Sequence, residues 1–146
     1  MKNIKTERGQ SLVELSISLL IVLWLLAGTV EFGIAFFQFI QLRDAAQEGA
    51  LYGSLHPDEA SNIELRVRNA SDKPINLQDD TIVFVNISAV DADGNTILPA
   101  NACVADGIIV TASFNHSLFM PFASLFMSNP IVLTASVTDT ILNSTC

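Results

Sequence analysis

From Gln10 to Leu42 the chain carries only two ionisable residues, Glu14 and Glu31, and from Gln10 to Ser54 it contains no proline. Something in that run must meet lipid or a partner. At a rise of about 1.5 Å per residue, Glu14 and Glu31 stand roughly 25 Å apart along a helix, close to the thickness of a bilayer core. The two acids bracket one membrane span, assigned to residues of about 15–40. Lys2, Lys5 and Arg8 precede it against Glu7 alone, and a basic flank of this kind stays in the cytoplasm and sends the rest across. A cleavable secretory signal begins in the same way, but it stops after a short apolar core at a small-x-small site. Here Leu25-Leu26-Ala27 puts leucine at the outer position, and the helical pattern continues beyond it.

Leu42, Ala45, Ala46, Gly49, Ala50 and Gly53 recur at three- and four-residue steps and mark one face of a continuing helix. His56-Pro57 ends it, because proline disfavours helical geometry at the residue before it. Residues 10–55 therefore read as one helix, half membrane span and half extracellular stalk. Within the span, Ala27, Gly28, Glu31, Ala35 and Gln38 form a stripe of small and polar side chains. Small residues let helix backbones approach closely, and polar ones are tolerated in lipid when they face a neighbour. The stripe predicts helix–helix packing between copies, against the simpler reading of a monomeric anchor with Glu31 in the headgroups.

Composition excludes several functions. Half of the 146 residues are hydrophobic and 15% are charged, against about 25% in ordinary soluble domains. A formal charge of −8 repels nucleic-acid phosphates. Two cysteines and two histidines are too few for the usual zinc site, and there is no Gly-rich phosphate loop or Ser-His-Asp spacing. No cofactor, metal, nucleic acid or catalytic activity is expected.

The start of the helix is more specific. Gly9-Gln10-Ser11-Leu12-Val13-Glu14 follows Arg8 and leads directly into the apolar run. A short basic leader ending in glycine, with glutamate fifth in the segment that follows, is the pattern on which a type IV prepilin peptidase acts. Cleavage between Gly9 and Gln10 would free an amine beside the apolar segment, and Glu14 is placed to neutralise it, in the same chain or in a neighbour. It would also leave 4 basic and 14 acidic residues, a net charge of −10.

Three blocks now occur in order: Arg8-Gly9-Gln10-Ser11-Leu12-Val13-Glu14, then Val30-Glu31-Phe32-Gly33, then Asp44-Ala45-Ala46-Gln47-Glu48-Gly49-Ala50. Together they resemble the TadE-like proteins, pilins of the tight-adherence branch of type IV pili, over about the first 55 residues. The resemblance implies a small processed pilin without a catalytic site, usually a minor one, needed for pilus assembly and surface attachment. Its implied partners are other pilin subunits, the prepilin peptidase, the pilus assembly platform and the lipid bilayer. It implies a location first in the inner membrane and then in a surface pilus, and a type IV pilin-like α+β fold.

Residues 56–146 read as an exported β-rich head. His56–Asn69 can form a short helix, with Ile63, Leu65 and Val67 as core contacts. Thr81–Val90, Thr96–Leu98, Gly107–Phe114 and Ile131–Thr140 alternate or are β-branched as strands require, predicting an antiparallel sheet packed on the stalk. Asp91, Asp93 and Asn95 alternate as calcium ligands do, but the twelfth position, which should be glutamate, is Ala102. An Asp-Gly hairpin turn explains the same residues and is preferred. Phe119, Met120, Phe122 and Phe126 make the loop at 117–128 intensely apolar; it fills the core, meets another subunit or dips into the outer leaflet. Cys103 and Cys146 lie on the exported side, where disulfides persist; bridging them is the expectation, with free or intermolecular thiols the alternative. Asn-x-Ser/Thr triplets at Asn69, Asn86, Asn115 and Asn143 read as chance rather than as glycan sites. The function expected from all this is a pilin-like structural subunit; the alternative is a single-pass, membrane-anchored extracytoplasmic binding protein that never polymerises.

Overall fold

The computed structural model describes residues 7–120 and 127–143. Helix α1, Glu7–Gly53, spans 47 residues, about 70 Å. Its lower half is lined all round by exposed leucine, isoleucine and valine, and the helix is long and apolar enough to cross a membrane, with a mean hydropathy of 2.2 in its most apolar window. Two hydroxyls inside this stretch satisfy themselves: Ser16 Oγ donates to the Leu12 carbonyl at 2.8 Å and Thr29 Oγ1 to the Leu25 carbonyl at 2.9 Å. Back-bonding of this kind leaves neither of these two hydroxyls in need of water in an apolar setting.

The upper half of α1 is the spine of the head. Leu42, Ala45, Ala46 and Ala50 are fully buried, as the three- and four-residue spacing predicts. Helix α2, Ala60–Asn69, crosses this face, and the small residues set how close it comes. A Cβ on Gly49 would overlap Val67 Cγ2, and one on Gly53 would lie 3.1 Å from Ile63 Cδ1 and 3.2 Å from Ile108 Cγ1. Only hydrogen fits at those two positions without α2 or the sheet moving away.

The expected helix start at His56 is corrected to Ala60, since His56 precedes Pro57 and Glu59 N turns back onto the His56 carbonyl at 3.2 Å. Ile63 and Val67 are buried as expected. Leu65 is not: it is 55% exposed, because two residues along a helix turn a side chain to the far side. Between α1 and α2, the Glu59 carboxylate accepts from Tyr52 Oη at 2.5 Å and from Asn62 Nδ2 at 2.7 Å. These bonds hold the Glu59 carboxyl below its ordinary range and push the Tyr52 phenol up.

Four antiparallel strands form one sheet in the order β2-β1-β3-β4, completing the α+β layout that the sequence predicts. Strand β1 is Val83–Val90, β2 is Thr96–Ile97, β3 is Gly107–His116 and β4 is Ile131–Thr140. The expected start of β1 at Thr81 is corrected by two residues: the Asp79 carboxylate accepts from both Thr81 N and Thr81 Oγ1, holding a turn there. That pairing also keeps the Asp79 carboxyl below its ordinary range. Strand β2 stops before Leu98 because Pro99 opens a 3₁₀ turn and has no N–H for a ladder. Strand β3 runs two residues past its expected end, pairing His116 with Ile131.

Alternation along the strands sends Val83, Ala89, Ile108, Val110, Ala112 and Ala135 into the core. The outer face is polar, with Thr111 Oγ1 and Ser136 Oγ 2.9 Å apart across β3 and β4. The Asp91–Asn95 segment is the hairpin turn between β1 and β2. Gly94 takes φ +85°, and the Asp91 carboxylate accepts from Asp93 N, Asn95 N and Asn95 Nδ2, which lowers its pKa. The Asp91 carboxylate, the first of the groups weighed as calcium ligands, is thus occupied in closing the turn.

One side chain ties the connection after α2 to the stalk. Gln41 donates from Nε2 to the Ile75 carbonyl and accepts at Oε1 from Ile75 N, both at 2.8 Å and both buried. Gln41→Leu keeps the volume but orphans two buried backbone groups. It is expected to destabilise the head by about 2–3 kcal/mol, measured as a lowered denaturation midpoint in detergent.

Candidate functional site

The geometry that positions the candidate site is set by β3. Period-two alternation puts Ile108, Val110, Ala112 and His116 on the face toward α1. Ile108 lies against Gly53, and eight residues later His116 meets Glu31, 22 residues back along the helix. About 27 Å of strand thus runs beside about 33 Å of helix, in the opposite direction. The strand carries the head down α1 toward its apolar lower half.

At the lower end, Glu31 Oε1 accepts from His116 Nε2 at 3.0 Å and from Phe119 N at 3.2 Å. Glu31 is 9% exposed and His116 3%. An acid in an apolar helix is costly unless it faces a polar partner, and here the partner comes from the same chain. One helical turn lower, Met120 Sδ lies 3.6 Å from where a Cβ on Gly28 would be. Leu118 N donates to Asn129 Oδ1 at 3.1 Å and draws together the two sides of the β3–β4 connection.

The expected packing stripe therefore lies beside the chain's own head. Glu31 is buried, Ala27, Gly28, Ala35 and Gln38 are half-buried, and Gln38 Oε1 is buried with no hydrogen-bond partner among the described residues. Packing of a second copy through this stripe, as the sequence predicts, has to compete with an intramolecular contact. Small residues make room for whichever surface approaches, and a stripe in the sequence does not say whether that surface is another helix or a distant strand.

Glu14 stands in contrast. It is exposed, as are Gly9 and Gln10, and no described residue partners its carboxylate. Of the apolar loop, Phe119 and Met120 are described, while Phe122 and Phe126 lie outside the described residues. Cys103 is disulfide-bonded, but Cys146, its expected partner, lies outside the described residues, so the pairing stays a proposal.

The Glu31–His116 pair is the site that sequence reasoning missed, since it read Glu31 toward a neighbouring helix and gave His116 no partner. Two signals pointed to it. His116 shares the alternation of the buried β3 residues, and Glu31 is the one acid in the middle of the apolar helix.

No curated protein and no solved structure matches the chain. A family model described as TadE-like protein matches residues 9–51, the segment that holds Gly9, Glu14, the packing stripe, Gln41 and Gly49. In that segment the chain is similar to the TadE-like proteins, a structural family associated with the Tad pilus rather than with enzymatic activity.

Proposed function

We propose that the chain is a pilin-like structural subunit of a tight-adherence type IV pilus. A prepilin peptidase cuts between Gly9 and Gln10, the apolar helix holds the subunit in the inner membrane, and the assembly platform moves it into a pilus or its initiating complex, which supports surface adhesion. The observation that carries this reading is the contrast between the two acids of one apolar helix. Glu31 is satisfied within the chain, whereas Glu14, five positions into the matched segment, is exposed without a described partner and is free to meet the amine of another subunit.

A second reading, a single-pass extracytoplasmic binding protein that does not polymerise, draws support from the head covering the stripe expected to pack between copies. One measurement separates the two. N-terminal sequencing and intact mass of the subunit in sheared surface filaments should find chains beginning at Gln10. Chains that retain Met1 and occur only in the membrane fraction would overturn the pilin reading in favour of the second. The same mass, taken with and without reductant, reports the Cys103–Cys146 bridge and any glycan.

A further inference from the structure

We propose that Phe119 and Met120, which form the tip of the chain where β3 runs on past Glu31, are a membrane wedge, the Phe119 side chain lying among the lipids of the leaflet nearest the head. The inference rests on the membrane-anchoring part of the proposed function and adds a second lipid contact to it. Position along α1 carries the argument. Phe119 N is bonded to Glu31 and Met120 rests on Gly28, so the tip lies beside helix residues 28–31. Exposed large apolar side chains on α1 run from Leu12 up to Ile40, with Phe32, Phe36 and Phe37 above the level of the tip. Nine more residues of apolar helix, about 13 Å, thus stand between the tip and the upper end of that surface. A hydrocarbon core of about 30 Å laid upward from Leu15 ends near Ala35, roughly 6 Å above Glu31 and 10 Å above Gly28, and so covers the tip.

The chemistry of the tip fits that position. Phe119 is 83% exposed, and Met127 and Val132, on the other side of the β3–β4 connection, are exposed as well. No Asp, Glu, Lys or Arg occurs from Gly107 to Thr138, and the ionisable side chains at the level of the tip, Glu31 and His116, are bonded to each other. Lipid tolerates backbone polar groups only where they are bonded within the protein. Phe119 N is given to Glu31, and Leu118 N to Asn129 Oδ1. Insertion beside the first turns below Glu31 corresponds to the shallow depth, roughly 5–10 Å, of interfacial segments.

The chain's single tryptophan, Trp24, makes the test internally controlled. The full-length protein is reconstituted at low protein density in phosphatidylcholine vesicles whose acyl chains carry bromine, which quenches tryptophan on contact. Wild type reports the span through Trp24. The double variant Trp24→Phe, Phe119→Trp reports the tip, where the exposed side chain accepts the larger ring without repacking. The expected result is that the variant loses about half of its emission or more in brominated vesicles, unchanged on further dilution with lipid and little affected by aqueous iodide. Quenching by iodide but not by brominated lipid would place the tip in water and overturn the proposal. Protection from both quenchers, lost on dilution, would show a second copy covering the tip and also overturn it. If Trp24 itself is not quenched by brominated lipid, the membrane-anchoring reading fails, and the wedge with it.

Discussion

Glu14→Ala is expected to lower the amount of the subunit in sheared surface filaments by about tenfold or more, while leaving its amount in the membrane unchanged. The reasoning begins with solvation. An acid at the centre of a membrane helix costs roughly 2.5–3.5 kcal/mol, and less toward the ends. Glu14 sits where the helix turns apolar and has no described partner within the chain. If Gln10 becomes the first residue, its free amine meets the same difficulty with opposite sign. Placing the amine of one subunit against Glu14 of the next relieves both, and two or so kilocalories per contact is the scale that separates incorporation from exclusion. Glu14→Gln, which keeps a hydrogen-bond acceptor and removes the charge, distinguishes an ion pair from a neutral hydrogen bond. If it assembles normally, the charge plays no part; if Glu14→Ala does as well, Glu14 is not the assembly contact.

His116→Ala is expected to cost the head about 3–5 kcal/mol, the scale found when one partner of a buried pair is removed and the other stays behind. Glu31 would keep only Phe119 N at 3.2 Å, and the imidazole would leave a gap where β3 meets α1. The readouts are the unfolding midpoint in detergent and hydrogen exchange of the Phe119 amide, which should lose its protection. The double variant Glu31→Leu, His116→Leu removes both polar groups together and should recover most of the loss, because replacing a buried pair by apolar residues of similar volume is close to neutral. Equal destabilisation by the single and double variants would mean that the contact matters for its packing rather than for the hydrogen bond between its polar groups.

Much of this arrangement is legible in the residues themselves. The long apolar helix, the small face from Leu42 to Gly53, the Asp91–Asn95 turn and the alternating strands are local patterns, and each appears where backbone geometry and side-chain period put it. Errors cluster where a local hydrogen bond or a proline overrides the pattern, at Asp79–Thr81, His56–Pro57 and Leu98–Pro99. Leu65 is misplaced because Ile63, Leu65 and Val67 stand at two-residue steps, which one face of a helix cannot bury together. The candidate site was half legible. Gly9, Gln10 and Glu14 stand out because a basic leader, a glycine and an acid abut an apolar run. The partner of Glu31 did not, because it lies 85 positions away and depends on the direction in which β3 crosses the helix.

By itself, then, the sequence determined a helix of membrane-spanning length with two isolated acids, and a β-rich segment behind it. Helical rise and hydrophobic period are properties of neighbouring residues and need no fold to express them. Only the tertiary structure decided that the two acids differ. A strand advances more than twice as far per residue as a helix, so ten residues of β3, laid along α1, bring His116 down to Glu31 and leave Glu14 beyond its reach.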